Sequence, residues 1–132
     1  WTTTKPIEYF DDVVDAMIPV NLHVGCMGLP PASHDVADSI PPLPTGGNVD
    51  DKRIGKGTTM YYPVEVEGAL FSAGDAHMAQ GDSELDGTGV ETSITGRFKV
   101  TVLKAKDLNA WQTALDFPLG ETETEWLPPP YP

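Results

Sequence analysis

The stretch from Gly68 to Leu85 organises the rest of this chain and reads G-A-L-F-S-A-G-D-A-H-M-A-Q-G-D-S-E-L. Leu70 and Phe71 lie in its apolar first part, which predicts a strand, and the polar segment that follows places one imidazole, His77, among several carboxylates. An imidazole beside carboxylates supplies both metal ligands and acid–base groups. The alternative is an acidic, solvated loop, because Asp, Gly and Ser are ordinary turn residues. The residues of this stretch alone do not separate the two interpretations.

Further motifs surround the polar segment. Residues 46–50 read G-G-N-V-D, residues 63–71 read P-V-E-V-E-G-A-L-F and residues 87–92 read G-T-G-V-E-T. With residues 74–84, G-D-A-H-M-A-Q-G-D-S-E, they resemble the acetamidase/formamidase family. Members of that family carry Gly-Gly-Asn-x-Asp, Pro-Val-x-x-x-Gly-Ala-Leu-Phe, Gly-Asp-x-His-x-x-Gln-Gly-Asp-x-Glu and Glu-Thr in the same order. The resemblance extends from about His23 to about Leu103.

The resemblance implies a hydrolase of small linear amides, which converts formamide or acetamide to a carboxylate and ammonia. The sequence shows no evident covalent nucleophile, so we predict attack by water that a divalent metal activates. A glutamate would carry the proton to the leaving amine. Two alternatives are a non-catalytic β module that holds a ligand through a cation, and an interface fragment of a larger enzyme. The presence of His77 favours the enzyme over the cation-dependent module, because a purely calcium-binding loop has no need of imidazole.

Each candidate residue takes its role from these motifs together with the resemblance. The predicted metal ligands are Asp75, His77, Asp82, Asn48 and Asp50. The predicted catalytic groups are Glu84, Glu91 and His77, and the predicted substrate-binding residues are His23 and Gln80. His23 belongs to a His-x-Gly-x-Met-Gly segment that the resemblance places near the active site, although a lone histidine is more often structural. A mixed histidine and carboxylate set suits zinc, whereas an all-oxygen subset would suit calcium or magnesium.

Composition excludes several classes of partner. The chain has 20 acidic and 8 basic residues, for a formal charge of −12, and a nucleic-acid partner would need a basic face. Cys26 is the only cysteine and its neighbours are apolar, which predicts a buried thiol rather than a nucleophile or a disulfide. No apolar run approaches the ~20 residues that span a bilayer. We therefore expect a cytoplasmic protein without a membrane partner.

The pattern of the chain predicts a mainly β fold. Thirteen prolines and thirteen glycines favour short strands and shaped loops over long helices. Apolar and polar residues alternate in the predicted strands, which cover residues 22–26, 60–67, 68–74, 90–95 and 97–103. We expect one domain of sandwich or jelly-roll-like antiparallel sheets with little helix.

The two ends of the chain have weaker patterns than its centre. For residues 1–20 we predict a linker or a short helix. The helix is suggested by the helical spacing of Phe10, Val13, Val14 and Met17. Residues 21–104 form the predicted β core. Residues 105–132 predict an extended tail, because their prolines disfavour a central strand.

The first residue is tryptophan rather than methionine, and members of the family that the chain resembles are usually several hundred residues long. These observations predict a piece of a larger polypeptide, whose partners are the remaining segments of the same enzyme and further copies of it. Exposed apolar surface is expected around Trp1, Phe10, Trp111 and Trp126, since large patches of this kind usually mark an interface. The isolated chain is expected to hydrolyse amides poorly, because this chemistry needs an enclosed cavity.

Overall fold

The structure, a computed structural model, describes residues 6–7, 16–33, 36–38, 40–82 and 84–128. It is mainly β, as predicted, and all of its strand pairings are antiparallel. The strands are β1 (Pro6–Ile7), β2 (Ala16–Met17), β3 (His23–Gly28), β4 (Gly46–Asn48), β5 (Thr59–Tyr61), β6 (Ser72–Ala79), β7 (Val90–Glu91), β8 (Leu119–Glu121) and β9 (Trp126–Leu127). One short helix, α1 (Ala110–Thr113), follows a 3-10 turn at Ala105–Asp107.

The four-stranded sheet, with strand order β4-β3-β6-β7, carries the residues of interest. In its centre β3 pairs with β6 so that His23 lies opposite His77 and Cys26 lies opposite Gly74. Alternate residues of a strand point to the same face. This pairing therefore places Gly25 on the face of the sheet that also carries His23 and His77.

A small apolar core packs beside this face. Met27, Ile54 and Leu127 are buried, and five partly buried apolar residues pack against them: Val24, Val49, Met60, Tyr62 and Phe71. Met27 belongs to the four-stranded sheet and Leu127 to a three-stranded sheet with the order β5-β8-β9. The core thus connects the two sheets.

Much apolar surface stays exposed. Trp111 and Trp126 are 40% and 50% exposed, which confirms the predicted exposure at these two residues. Trp1 and Phe10 lie outside the described residues. Within the described part of the chain, no helix has the length and apolar character that crossing a membrane requires.

The strand boundaries need correction in the middle of the chain. The strand predicted at 60–67 ends at Tyr61, shortly before Pro63, whose ring nitrogen has no proton to donate to a neighbouring strand. The strand predicted at 68–74 begins only at Ser72, because Ala69 and Leu70 have positive φ angles of 56° and 48°, which interrupt extended backbone. The first part of the polar segment, through Ala79, therefore belongs to a central strand of the sheet, and the turn that holds Glu84 follows it.

The two strands predicted at 90–95 and 97–103 are mostly wrong. Of these residues, only Val90 and Glu91 form a strand. Phe98, Val100 and Val102 alternate as predicted but are 48%, 69% and 62% exposed. Alternation shows that a segment is suited to a sheet, but a strand also needs a neighbour to pair with, and the described residues provide none for this segment.

The predictions for both ends also need correction. The predicted tail contains α1, β8 and β9, and β8 is the central strand of its sheet. Pro118 precedes β8 and Pro128 follows β9, so these prolines bound the strands without interrupting their pairing. Near the start, β1 pairs with β2, so the predicted helix does not extend to Met17, while Phe10, Val13 and Val14 lie outside the described residues.

Candidate metal centre

Three carboxylates surround His77 in the four-stranded sheet. The His77 side chain is fully buried, and its Nε2 lies 3.2 Å from Glu84 Oε1, 3.2 Å from Glu91 Oε1 and 3.6 Å from Asp75 Oδ1. Asp75 belongs to β6 itself, and Glu91 lies opposite His77 on β7. Glu84 comes from a turn in which its carbonyl accepts a hydrogen bond from Gly87 N at 2.7 Å.

A fourth carboxylate, that of Asp50, completes the cluster from the loop after β4. The possible ligand atoms form two sets, Asp50 with His77 and Glu84, and Asp75 with His77 and Glu91. Within each set these atoms lie within 4.8 Å of one another. We call these five residues the His77 cluster. One imidazole and four carboxylates are groups of the kind that can coordinate a divalent cation.

Asp50, like His77 at Nδ1, has a buried side-chain atom without a hydrogen-bond partner. Its Oδ1 is buried and has no hydrogen-bond partner. Burial, together with the neighbouring carboxylates of Asp75 and Glu84, raises the pKa of Asp50 to about 6, and His77 acts in the opposite direction. Crowded carboxylates bind either a shared proton or a cation, because their mutual repulsion disfavours ionisation of all of them. The orphaned oxygen of Asp50 thus fits a cation ligand.

Unusual backbone geometry is concentrated in the same cluster. Asp50, Asp75 and Glu84 have positive φ angles of 46°, 60° and 43°. Such conformations cost roughly 1–3 kcal/mol each for a residue other than glycine, and they cluster at functional sites. Their occurrence in three cluster carboxylates supports a functional role, since a solvated acidic loop has no reason to hold them.

Gly25 forms the floor of the His77 cluster and is not among the site residues predicted from the sequence motifs. A Cβ atom built on Gly25 would overlap Asp50 Oδ1 and Asp75 Oδ2 and lie 2.9 Å from His77 Cε1. Only a residue without a side chain leaves room for these carboxylates. The sequence does show that His23 and Gly25 are two residues apart and so share a face of one strand. That spacing places Gly25 under the cluster only once β3 is known to pair with β6.

His23 and Gln80 border the cluster but use their polar atoms on the protein. His23 is buried, with Nδ1 at 2.7 Å from the Asn21 carbonyl oxygen and Nε2 at 3.0 Å from Gln80 Oε1. The other amide atom of Gln80, Nε2, donates to the carbonyl oxygen of Asp50. Substrate binding by these two residues remains a prediction.

Two predicted metal ligands lie outside the cluster. The Asp82 side chain is 89% exposed and pairs with Lys52 Nζ at 2.8 Å. The amide of Asn48 donates to the carbonyl oxygen of Ile40 at 3.0 Å, and its Oδ1 accepts from Cys26 Sγ at 3.0 Å. The structure thus joins Asp50, Asp75, His77, Glu84 and Glu91, and it leaves Asp82 in solvent and Asn48 beside Cys26.

Cys26 is expected to be a poor nucleophile. Partial burial, followed by the hydrogen bond and the negative charge of Asp75, raises the pKa of its thiol to about 12. Because the thiolate is the reactive form, we predict alkylation at pH 8 at least ~100-fold slower than for a free thiol with the usual pKa of about 8.5. Iodoacetamide labelling followed by mass spectrometry measures the rate, with urea-unfolded chain as the control. Rapid labelling of the folded chain would contradict this prediction.

The fold and the cluster define a β protein with a histidine and carboxylate centre, and comparison with known proteins identifies its relatives. The model of the Acetamidase/Formamidase family matches residues 18–125, so the chain belongs to that family. Over 57 residues it is 46% identical to an acetamidase of Mycolicibacterium smegmatis, covering 43% of this chain and 14% of that protein. Over 76 residues it is 37% identical to a formamidase of Methylophilus methylotrophus, covering 58% of this chain and 18% of that protein.

Solved structures agree with this assignment. An acetamidase from Yersinia enterocolitica superimposes with a TM-score of 0.63 at 30% identity, covering 82% of this chain and 30% of that one. A predicted acetamidase/formamidase from Thermoanaerobacter tengcongensis gives a TM-score of 0.64 at 28% identity, covering 89% of this chain and 36% of that one. The chain therefore spans about a third of the length of these two solved relatives.

Proposed function

We propose that this chain carries the hydrolytic centre of an amidase that converts formamide or acetamide to a carboxylate and ammonia. The observation that carries the proposal is the His77 cluster, in which a buried imidazole meets four carboxylates and one of these, Asp50, has an orphaned oxygen. The printed names of the relatives, acetamidase and formamidase, supply the substrate class.

The buried set of Asp50, His77 and Glu84 is the proposed holder of a zinc ion. Both candidate sets include His77, and an imidazole ligand favours zinc over calcium or magnesium. When bound, zinc acidifies a water molecule and polarises the amide carbonyl. The Glu84 side chain is only 13% exposed, which suits a ligand that must stay in place.

Glu91 is the proposed acid–base group. Its side chain is 57% exposed and its Oε1 lies 3.2 Å from His77 Nε2, so it can reach both the cluster and an arriving substrate. It would take a proton from the attacking water as the water oxygen bonds to the carbonyl carbon. It would then deliver that proton to the amide nitrogen as the C–N bond breaks, which releases ammonia and the carboxylic acid, and the acid loses its remaining proton to become the carboxylate.

An apolar cleft beside the cluster is the proposed site for the acyl end of the amide. It has a volume of about 530 Å³, and Pro41, Leu43 and Leu70 are among its lining residues. Cys26 also lines this cleft, and its Sγ lies 3.5 Å from Asp75 Oδ2, so the cleft and the cluster are neighbours. Such a cleft would bring the hydrogen or methyl group of formamide or acetamide into contact with apolar side chains.

The test combines zinc analysis of the purified chain with an ammonia-release assay on formamide and acetamide. We expect the wild-type chain to bind zinc and to release ammonia slowly, in line with the poor hydrolysis expected of the isolated chain. We expect His77→Ala to lose both zinc binding and this slow release by at least about 100-fold, because the imidazole belongs to both candidate sets. The matched control is Asp82→Asn, since Asp82 is exposed and outside the cluster. Zinc binding without ammonia release would support the cation-dependent binding module instead, and full zinc content in His77→Ala would refute the site.

A further inference from the structure

We propose that His23 and Gln80 are positioning residues that hold Asp50 in place for the metal. This inference rests on the proposed function, because it assigns these residues to the same centre. It differs from the role in substrate binding that the sequence analysis predicted. The structural basis is a continuous chain of hydrogen bonds that ends on the backbone of Asp50.

The hydrogen-bonded chain begins at Asn21 and crosses the sheet. The Asn21 amide donates to the Met78 carbonyl at 2.7 Å, and its side-chain Nδ2 donates to the Lys52 carbonyl at 2.8 Å. The Asn21 carbonyl then faces His23 Nδ1, and His23 Nε2 faces Gln80 Oε1. Both of these oxygens accept, so each contact is a hydrogen bond only where the ring nitrogen that faces it carries a proton. Both oxygens belong to groups that are themselves held in place by other hydrogen bonds.

Gln80 connects His23 to Asp50. Its Nε2 donates to the Asp50 carbonyl, while the Asp50 amide donates to the Gly25 carbonyl at 3.1 Å. Asp50 is thus held on both sides of its Cα, which keeps it at its unfavourable φ of 46°. If the Gln80 contact is lost, relaxation of this φ turns the carboxylate away from His77 and Glu84.

His23 also supports the ligand ring directly. It is 1% exposed, and its ring centroid lies 5.0 Å from that of His77 with the planes tilted by 37°. His23 therefore packs beside one ligand, His77, and orders a second, Asp50, through Gln80. Each side-chain amide atom of Gln80 and each ring nitrogen of His23 already lies against a protein atom, which favours a positioning role over substrate binding.

The decisive variant is Gln80→Met, which keeps the length of the side chain and removes its amide. We expect zinc, added alone to the metal-free full chain, to bind about 10–100-fold more weakly in equilibrium dialysis, the loss typical of groups that orient metal ligands. We also expect the Asp50 amide to exchange hydrogen faster in the metal-free variant. The KM for formamide should stay unchanged while kcat falls. The matched control is Gln112→Met, a change of the same residue type in α1.

Each outcome decides the inference. Unchanged zinc affinity and unchanged Asp50 exchange, with a raised KM, would show that Gln80 contacts substrate and would overturn it. If the methionine variant does not fold, Gln80→Glu serves instead, since it keeps the acceptor for His23 and places an oxygen against the Asp50 carbonyl. Because the added carboxylate itself attracts zinc, the readout for this variant is amide exchange, and unchanged exchange of the Asp50 amide in the folded chain would overturn the inference. A wild-type chain that binds no zinc would contradict the proposed function. In that case the positioning role is tested only by comparing hydrogen exchange of the Asp50 amide in the wild-type and variant chains.

Discussion

Replacing Gly25 with alanine is expected to abolish zinc binding and to lower amide hydrolysis by at least about 100-fold, since displacing reacting groups by ~1 Å has an effect of this size. The added methyl group would overlap Asp50 Oδ1 and Asp75 Oδ2 and lie 2.9 Å from His77 Cε1. Asp50 belongs to one candidate ligand set, Asp75 to the other and His77 to both, so neither set could close around a cation.

The matched control for this prediction is Gly74→Ala, a glycine of the adjacent strand β6. A Cβ atom at Gly74 meets no other atom within 4 Å, so the same chemical change is made without a clash. Zinc titration monitored by calorimetry and the ammonia assay measure the two effects, with circular dichroism to verify that both variants fold. A folded Gly25→Ala chain with wild-type zinc affinity would show that the metal does not lie above Gly25.

Replacing Glu91 with glutamine is expected to leave zinc content unchanged and to lower kcat by about 10²–10⁴-fold, the usual contribution of a general acid–base group. Glutamine has nearly the same shape but cannot accept and return a proton. The Glu91 side chain is 57% exposed, whereas that of Glu84 is 13% exposed. Glu91 is therefore the glutamate that an arriving substrate can reach, which suits proton transfer.

The comparison with Glu84→Gln separates the two glutamates. We expect Glu84→Gln to lose zinc together with activity, because Glu84 belongs to the buried ligand set. Glu67→Gln, at an exposed carboxylate of the loop before β6, serves as the control for loss of one negative charge. Loss of zinc in Glu91→Gln with full zinc in Glu84→Gln would reverse the two assignments.

Local pattern was sufficient for part of the fold and insufficient for the rest. It predicted the mainly β class, because alternation and the frequency of glycine and proline are properties of neighbouring residues. It failed at residues 97–103, where the alternation is real but the described residues offer no pairing strand. It also failed at β8, because whether a segment becomes a central strand depends on β5 and β9.

By itself, the sequence identified the family and named all five residues of the His77 cluster as candidate site residues. Only the tertiary structure decided which carboxylates meet. Asp82 follows Gln80 closely in sequence yet turns outward to Lys52, whereas Asp50 enters the cluster from a distant loop. The reason is physical: the pairing of β3 with β6, the positive φ angles and the open floor at Gly25 determine where each carboxylate points, and these depend on contacts between segments.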